Sequence, residues 1–189
     1  VYAWQLEALA FFDHVLHGTD NGYAAQPAVR YWVEGADAYA GAPDFPPPQA
    51  ATRRLYLASG GADADIHHLR AQPGEGENRW AAVPLGLPIL GGFDEVANQV
   101  LAFEFTADRP MTLAGPVSLN LSFSSNEIDS HLVARLSRIG PDGRSHLLSL
   151  GAMCPARRRR DAARDTACEI VHDTSVREPL VPGEPVDLA

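Results

Sequence analysis

The chain has 189 residues, 46% apolar and 21% charged, the make-up of an ordinary globular domain with or without an appendage, and not of a disordered tail. Its formal net charge is −9, from 24 acidic residues against 15 basic ones, all of them arginine. A field of that sign disfavours nucleic acid and anionic membranes, and no apolar run approaches the roughly 18 residues of a membrane-spanning helix.

Residues 3–17 predict one helix. Leu6, Leu9, Phe12, Val15 and Leu16 recur at intervals of three and four, a spacing that gathers them on one helical face. Gly18 can take the left-handed conformation of a C-cap, and Thr19-Asp20-Asn21-Gly22 is turn chemistry. Beyond Pro27 the period changes. Ala28–Val33 is β-branched and aromatic and predicts a strand, whereas the three prolines Pro46, Pro47 and Pro48 exclude a helix and favour an extended path. Arg53–Leu57 predicts the next strand, stopped by Ser59-Gly60-Gly61. From there to residue 97 glycine and proline recur, with one short strand at Asp65–Arg70. Loops of that length are usually functional or disordered.

The second half predicts strands at Gln99–Phe105, Met111–Phe123, Ser130–Ile139, Ser145–Leu150, Ala167–His172 and Glu184–Leu188. Val117–Phe123 alternates apolar and polar residues, which buries one face and wets the other. Gly140-Pro141-Asp142-Gly143 joins two of these strands into a hairpin. The fold class that follows is mainly β, a jelly roll or β-sandwich with one N-terminal helix.

A serine-elbow nucleophile needs Gly-x-Ser-x-Gly, and the chain lacks it: Ser59 and Ser145 read as turn residues. His14 and His17 sit near a helix end, where a cation meets the helix dipole favourably. His67 and His68 are adjacent on a strand and so point to opposite faces, and Cys154, Cys168 and His172 have no close ligand partner. No metal and no cofactor is expected. With only two cysteines a disulfide framework is not expected either, and a cytoplasmic history follows. Arg157–Arg160 is the most basic stretch, but Asp161, Arg164, Asp165 and Glu169 mix the sign at once, so a solvated edge is expected there.

Several motifs together resemble one family. Phe11-Phe12-Asp13-His14-Val15-Leu16-His17-Gly18, Asp20-Asn21-Gly22 and Pro27-Ala28-Val29-Arg30 are similar to the segment that closes the hydrolase domain in the cocaine esterase and X-Pro dipeptidyl-peptidase family of α/β-hydrolases. Phe45-Pro46-Pro47-Pro48 with Leu55-Tyr56-Leu57 resembles the entry into that family's C-terminal jelly roll. Pro88–Gly92, Leu113–Val117, Pro141–Arg144 and Glu178–Glu184 resemble later signatures of the same domain.

The resemblance implies a closing helix and linker over 1–26 and a jelly-roll-like domain over 27–189 that lacks its last strands. It also implies an accessory, non-catalytic role in a serine hydrolase cleaving esters or amides, whose triad lies outside this chain. The catalytic and cap domains would then be the partners. Leu6, Leu9, Phe12, Asp13 and Leu16 would form the interdomain face, and Ile89, Leu90, Gly91, Gly92 and Phe93 a wall of the substrate pocket. The helix stripe and open strand edges also predict self-association. The alternative is a stand-alone jelly-roll module binding carbohydrate or protein, for which Trp32 and Trp80 are the exposed aromatic candidates; a pseudo-enzyme scaffold is a third reading.

Overall fold

The computed structural model describes residues 3–59, 66–80 and 100–189. It is mainly β with one helix, its strands in several small sheets as in a β-sandwich. The chain forms two compact units, one of residues 1–50 with 114–189 and one of residues 51–113.

In the first unit, helix α1 spans Ala3–His17, the span its sequence predicts. Gly18, at φ +64°, turns the chain out of it. Strands β1 (Val29–Val33) and β2 (Ala38–Ala42) then form an antiparallel hairpin with Trp32 opposite Tyr39. The small residues of β2 carry little strand propensity, so pattern alone misses it; close approach explains them. A Cβ on Gly41 would stand 2.5 Å from Pro27 Cγ, so only glycine fits that register. The proline run is a packed corner: Pro47 is buried and Phe45 meets Tyr31 edge-on at 6.2 Å.

Strands β6 (Leu121–Phe123) and β9 (Val186–Leu188) pair antiparallel, with Leu121 opposite Leu188. Phe123, Leu180 and Leu188 are buried together, and Leu121, Leu132, Met153 and Val186 pack against them. Strands β7 (Leu132–Ile139) and β8 (Ser145–Met153) form the hairpin expected around Gly143, which takes φ +76°. A bulge sets Leu136 opposite Ser149 but Ser137 opposite Leu147, leaving Leu148 unmatched. That slip brings Leu147 onto the side of Val133 and Leu150, an apolar face that lies open.

In the second unit β3 (Tyr56–Ala58) pairs antiparallel with β4 (Ile66–Arg70), and β4 pairs parallel with β5 (Ala102–Glu104). His67 is buried with its ring 5.1 Å from that of Phe103, and Arg53 lies 4.4 Å over the Phe105 ring.

Two expected strands are corrected. Of Met111–Phe123 only Leu121–Phe123 is strand, so alternation in residues 117–120 does not secure a pairing partner there. Ala167–His172 contributes only an isolated bridge between Arg160 and His172. There the Asp165 carboxylate takes the backbone N–H of Val171 at 2.8 Å, which removes that donor from any ladder.

Candidate functional site

Helix α1 is built inside out. Trp4, Leu6, Leu9, Phe11, Phe12, Val15 and Leu16 are all exposed, Leu9 by 57% and Leu16 by 69%. At 3.6 residues per turn those seven side chains sweep an arc of about 220°, wider than the single face expected from their spacing. The remaining side, turned toward the chain, carries the partly buried Glu7, Ala10 and His14. Arg30 binds Glu7 and donates to Gln26 Oε1 at 2.8 Å, and Asn21 Nδ2 donates to the Ala10 carbonyl at 2.8 Å. His14 Nδ1 is 3.1 Å from the Thr19 carbonyl, and its ring tilts against Tyr23 at 5.9 Å. A shallow groove of about 300 Å³ runs between helix and hairpin, lined by Leu6, Glu7, Ala10, Gln26, Arg30 and Tyr39. Polar contacts thus fix the helix to its own chain while its apolar side chains face water.

The basic stretch behaves in the opposite way. Arg157 donates to the Thr174 carbonyl, and Arg158 Nη1 donates to the carbonyls of Pro155 at 3.1 Å and Glu178 at 2.6 Å. Arg160 pairs with Asp165. The backbone N–H of Val171 and the Arg160 guanidinium hold the Asp165 carboxyl below its ordinary range. These bonds stitch residues 155–160 to 165–178, so the edge, solvated at Arg157, Arg159 and Arg160, is also a clamp. Nearby, Cys154 Sγ donates to Asp129 Oδ1 at 3.2 Å and Arg177 Nη2 approaches Asp129 Oδ2 at 3.4 Å. Burial pushes the Asp129 carboxyl up, but the Cys154 thiol, the backbone N–H groups of Ser130 and Ala156 and the Arg177 guanidinium outweigh it and hold it low. Burial and the facing Asp129 carboxylate push the Cys154 thiol up. Sequence reasoning missed Asp129, and it read Asp165 only as one of the mixed charges behind Arg160.

Residues 21–189 match the model of the X-Pro dipeptidyl-peptidase C-terminal non-catalytic domain. The chain belongs to that family. A protein of Mycobacterium bovis provisionally named a serine esterase is 27% identical over 201 residues, covering 94% of this chain and 31% of that protein. The cocaine esterase of a Rhodococcus species is 30% identical over 165 residues, covering 75% of this chain and 29% of that enzyme. A crystal structure of a CocE/NonD family hydrolase from Staphylococcus aureus aligns with 99% of this chain and 34% of its own, at TM-score 0.66 and 17% identity. At that identity the likeness shows the fold alone. The chain therefore spans about a third of the length of the curated relatives it matches.

Within each compact unit, the described candidate chemical groups do not converge. Ser145 Oγ lies 3.3 Å from Arg135 Nη2 at the start of β8, and the nearby Asp142 carboxylate stands 3.7 Å from Arg144 and 4.0 Å from His146, exposed on a turn. Ser59 is half-buried beyond β3. His67 is buried while His68 is exposed, on opposite faces of β4. Cys154 and Cys168 are both free thiols. Among the described residues no group of three or more His, Cys, Asp or Glu could hold a metal ion, and no helix is long and apolar enough to cross a membrane. The pocket-wall candidates Ile89, Leu90, Gly91, Gly92 and Phe93 lie outside the described residues. Of the interdomain candidates, Leu6, Leu9, Phe12 and Leu16 are exposed on α1 and Asp13 is partly buried.

Proposed function

We infer that this chain is the accessory β domain of a serine hydrolase cleaving esters or amides, and that α1 docks its apolar side into the catalytic portion beside the active site. The observation that carries this reading is the inside-out helix. An apolar arc of about 220° marks a helix meant to be enclosed. Fully burying one large apolar side chain is worth roughly 1.5–3 kcal/mol, so seven of them left about half exposed forfeit an amount comparable to the net stability of a typical domain. The named activities of the mycobacterial and Rhodococcus relatives supply the class of reaction. The chain itself acts as a wall and a brace, holding no nucleophile of its own.

The test uses the protein expressed from its complete reading frame beside the 189-residue chain. The chain alone hydrolyses neither p-nitrophenyl acetate nor X-Pro anilides above background and takes no fluorophosphonate label. Leu9→Asp with Phe12→Asp in the complete protein lowers esterase or anilidase turnover at least tenfold by undocking the helix. Stoichiometric labelling of one serine in the 189-residue chain, or full activity in the doubly substituted protein, overturns the reading.

A further inference from the structure

We propose that Trp32 and Tyr39, on the β1–β2 hairpin, form a second anchor of the surface by which α1 docks on the catalytic portion; this rests on the function inferred above. The two residues stand directly opposite each other across the hairpin, 50% and 56% exposed, with ring centroids 5.1 Å apart and planes at 75°. Arg30, two residues before Trp32 and so on the same face, lays its guanidinium 5.0 Å over the Tyr39 ring. The same guanidinium reaches Glu7 of α1.

Leu6, at one edge of the apolar arc, shares a groove with Tyr39, and Glu7, Ala10, Gln26 and Arg30 line the rest of it. The apolar arc of α1 and the aromatic pair therefore adjoin across a strip that Arg30 bridges. Tryptophan, tyrosine and arginine are the residue types that dominate binding energy at protein interfaces. Here the ring–ring and ring–guanidinium contacts already order them, so little side-chain freedom is lost on docking. The occupant is the catalytic portion of the hydrolase. The chain aligns over 99% of its length, helix and hairpin included, with a hydrolase chain of which the alignment covers only 34%. A sugar is the poorer occupant. It stacks on an open flat ring, whereas these rings stand at 75° and the guanidinium covers one face of Tyr39.

Hydroxyl-radical footprinting with residue-level mass spectrometry decides this, comparing the protein from its complete reading frame with the 189-residue chain at a dilution where that chain is monomeric. Trp4 on α1 reports the docking of the helix; Trp32 reports the hairpin. Both oxidise several-fold more slowly in the complete protein if they share one interface. Protection of Trp4 with Trp32 unchanged leaves the functional reading standing and overturns the hairpin anchor. Protection of Trp32 alone overturns the single shared surface, and protection of neither overturns anchor and function together. Slowed oxidation of Trp32 in the 189-residue chain on adding xylohexaose or chitohexaose also overturns the anchor, in favour of a carbohydrate site.

Discussion

Helix α1 and the stretch from Cys154 to Leu180 belong to one compact unit, yet they distribute polar and apolar groups in opposite ways. The later stretch satisfies itself. Its arginines close on carbonyls and carboxylates of the same chain, and Leu180 is sunk in the core with Phe123 and Leu188. The helix spends its polar side on local tethers and leaves its apolar side in water. The stretch from Cys154 to Leu180 matches its groups within the chain, whereas α1 leaves its apolar side unmatched. Replacing bulky apolar residues in the two regions should therefore have different effects.

The largest contrast is between Leu180 and the helix pair Leu9 and Phe12. Leu180→Ala removes a buried side chain from the core and should cost about 2–5 kcal/mol in urea denaturation. Leu9→Asp with Phe12→Asp should stay within about 0.5 kcal/mol in the dilute chain, as surface substitutions do. The same pair should convert a self-associating chain into a monomer by light scattering across a dilution series, because an exposed apolar patch recruits copies. Equal destabilisation by the core and helix variants would mean that α1 already buries its apolar arc.

A smaller effect tests the clamp. Arg158 is half-buried, and two carbonyls depend on its Nη1. Arg158→Ala should cost about 1–3 kcal/mol, the range for losing charged hydrogen bonds and stranding their acceptors. Arg158→Lys should recover only part of it, since an ammonium cannot reproduce the guanidinium fork. Arg160 is half-exposed on its pair with Asp165, so Arg160→Ala should cost less than about 1 kcal/mol and vary with salt. Equal losses at both positions would make the stretch a simple charged edge.

What could be read from the sequence followed from local rules. The span of α1, the hairpin around Gly143 and the strands at β1 and β4 each have a period or a turn that acts over a few residues. Strand β2 escaped because its alanines and its one glycine are strand only by contact with β1 and Pro27. Periodicity found the apolar residues of α1 but gathered them on one face, missing the breadth that Trp4 and Phe11 add, and could not say which way they point; that orientation is what makes the helix a docking candidate. The acceptors Thr174 and Glu178 for Arg157 and Arg158 lie 17 and 20 residues downstream, beyond the reach of any local pattern.

The smallest effect concerns Asp129, where the clamp meets the core. Its carboxyl is held below the ordinary range in the folded chain and returns to about 4 on unfolding. A depressed folded value means the contribution to stability is fully present above pH 4 and is lost as pH falls through the folded value. Asp129→Asn keeps an oxygen for the Cys154 thiol and the Ser130 N–H but loses the charge that faces Arg177. The variant should therefore be less stable than the parent at pH 7, and the gap should close as both are taken toward pH 2. Cys154 offers a second reading at the same site. The Asp129 carboxylate helps to hold its thiol protonated, so removing that charge should speed its alkylation by iodoacetamide at pH 8, while the exposed Cys168 is unaffected. A stability gap that persists at acid pH, with Cys154 no more reactive, would show that Asp129 acts through shape alone, and that this end of the clamp draws nothing from charge.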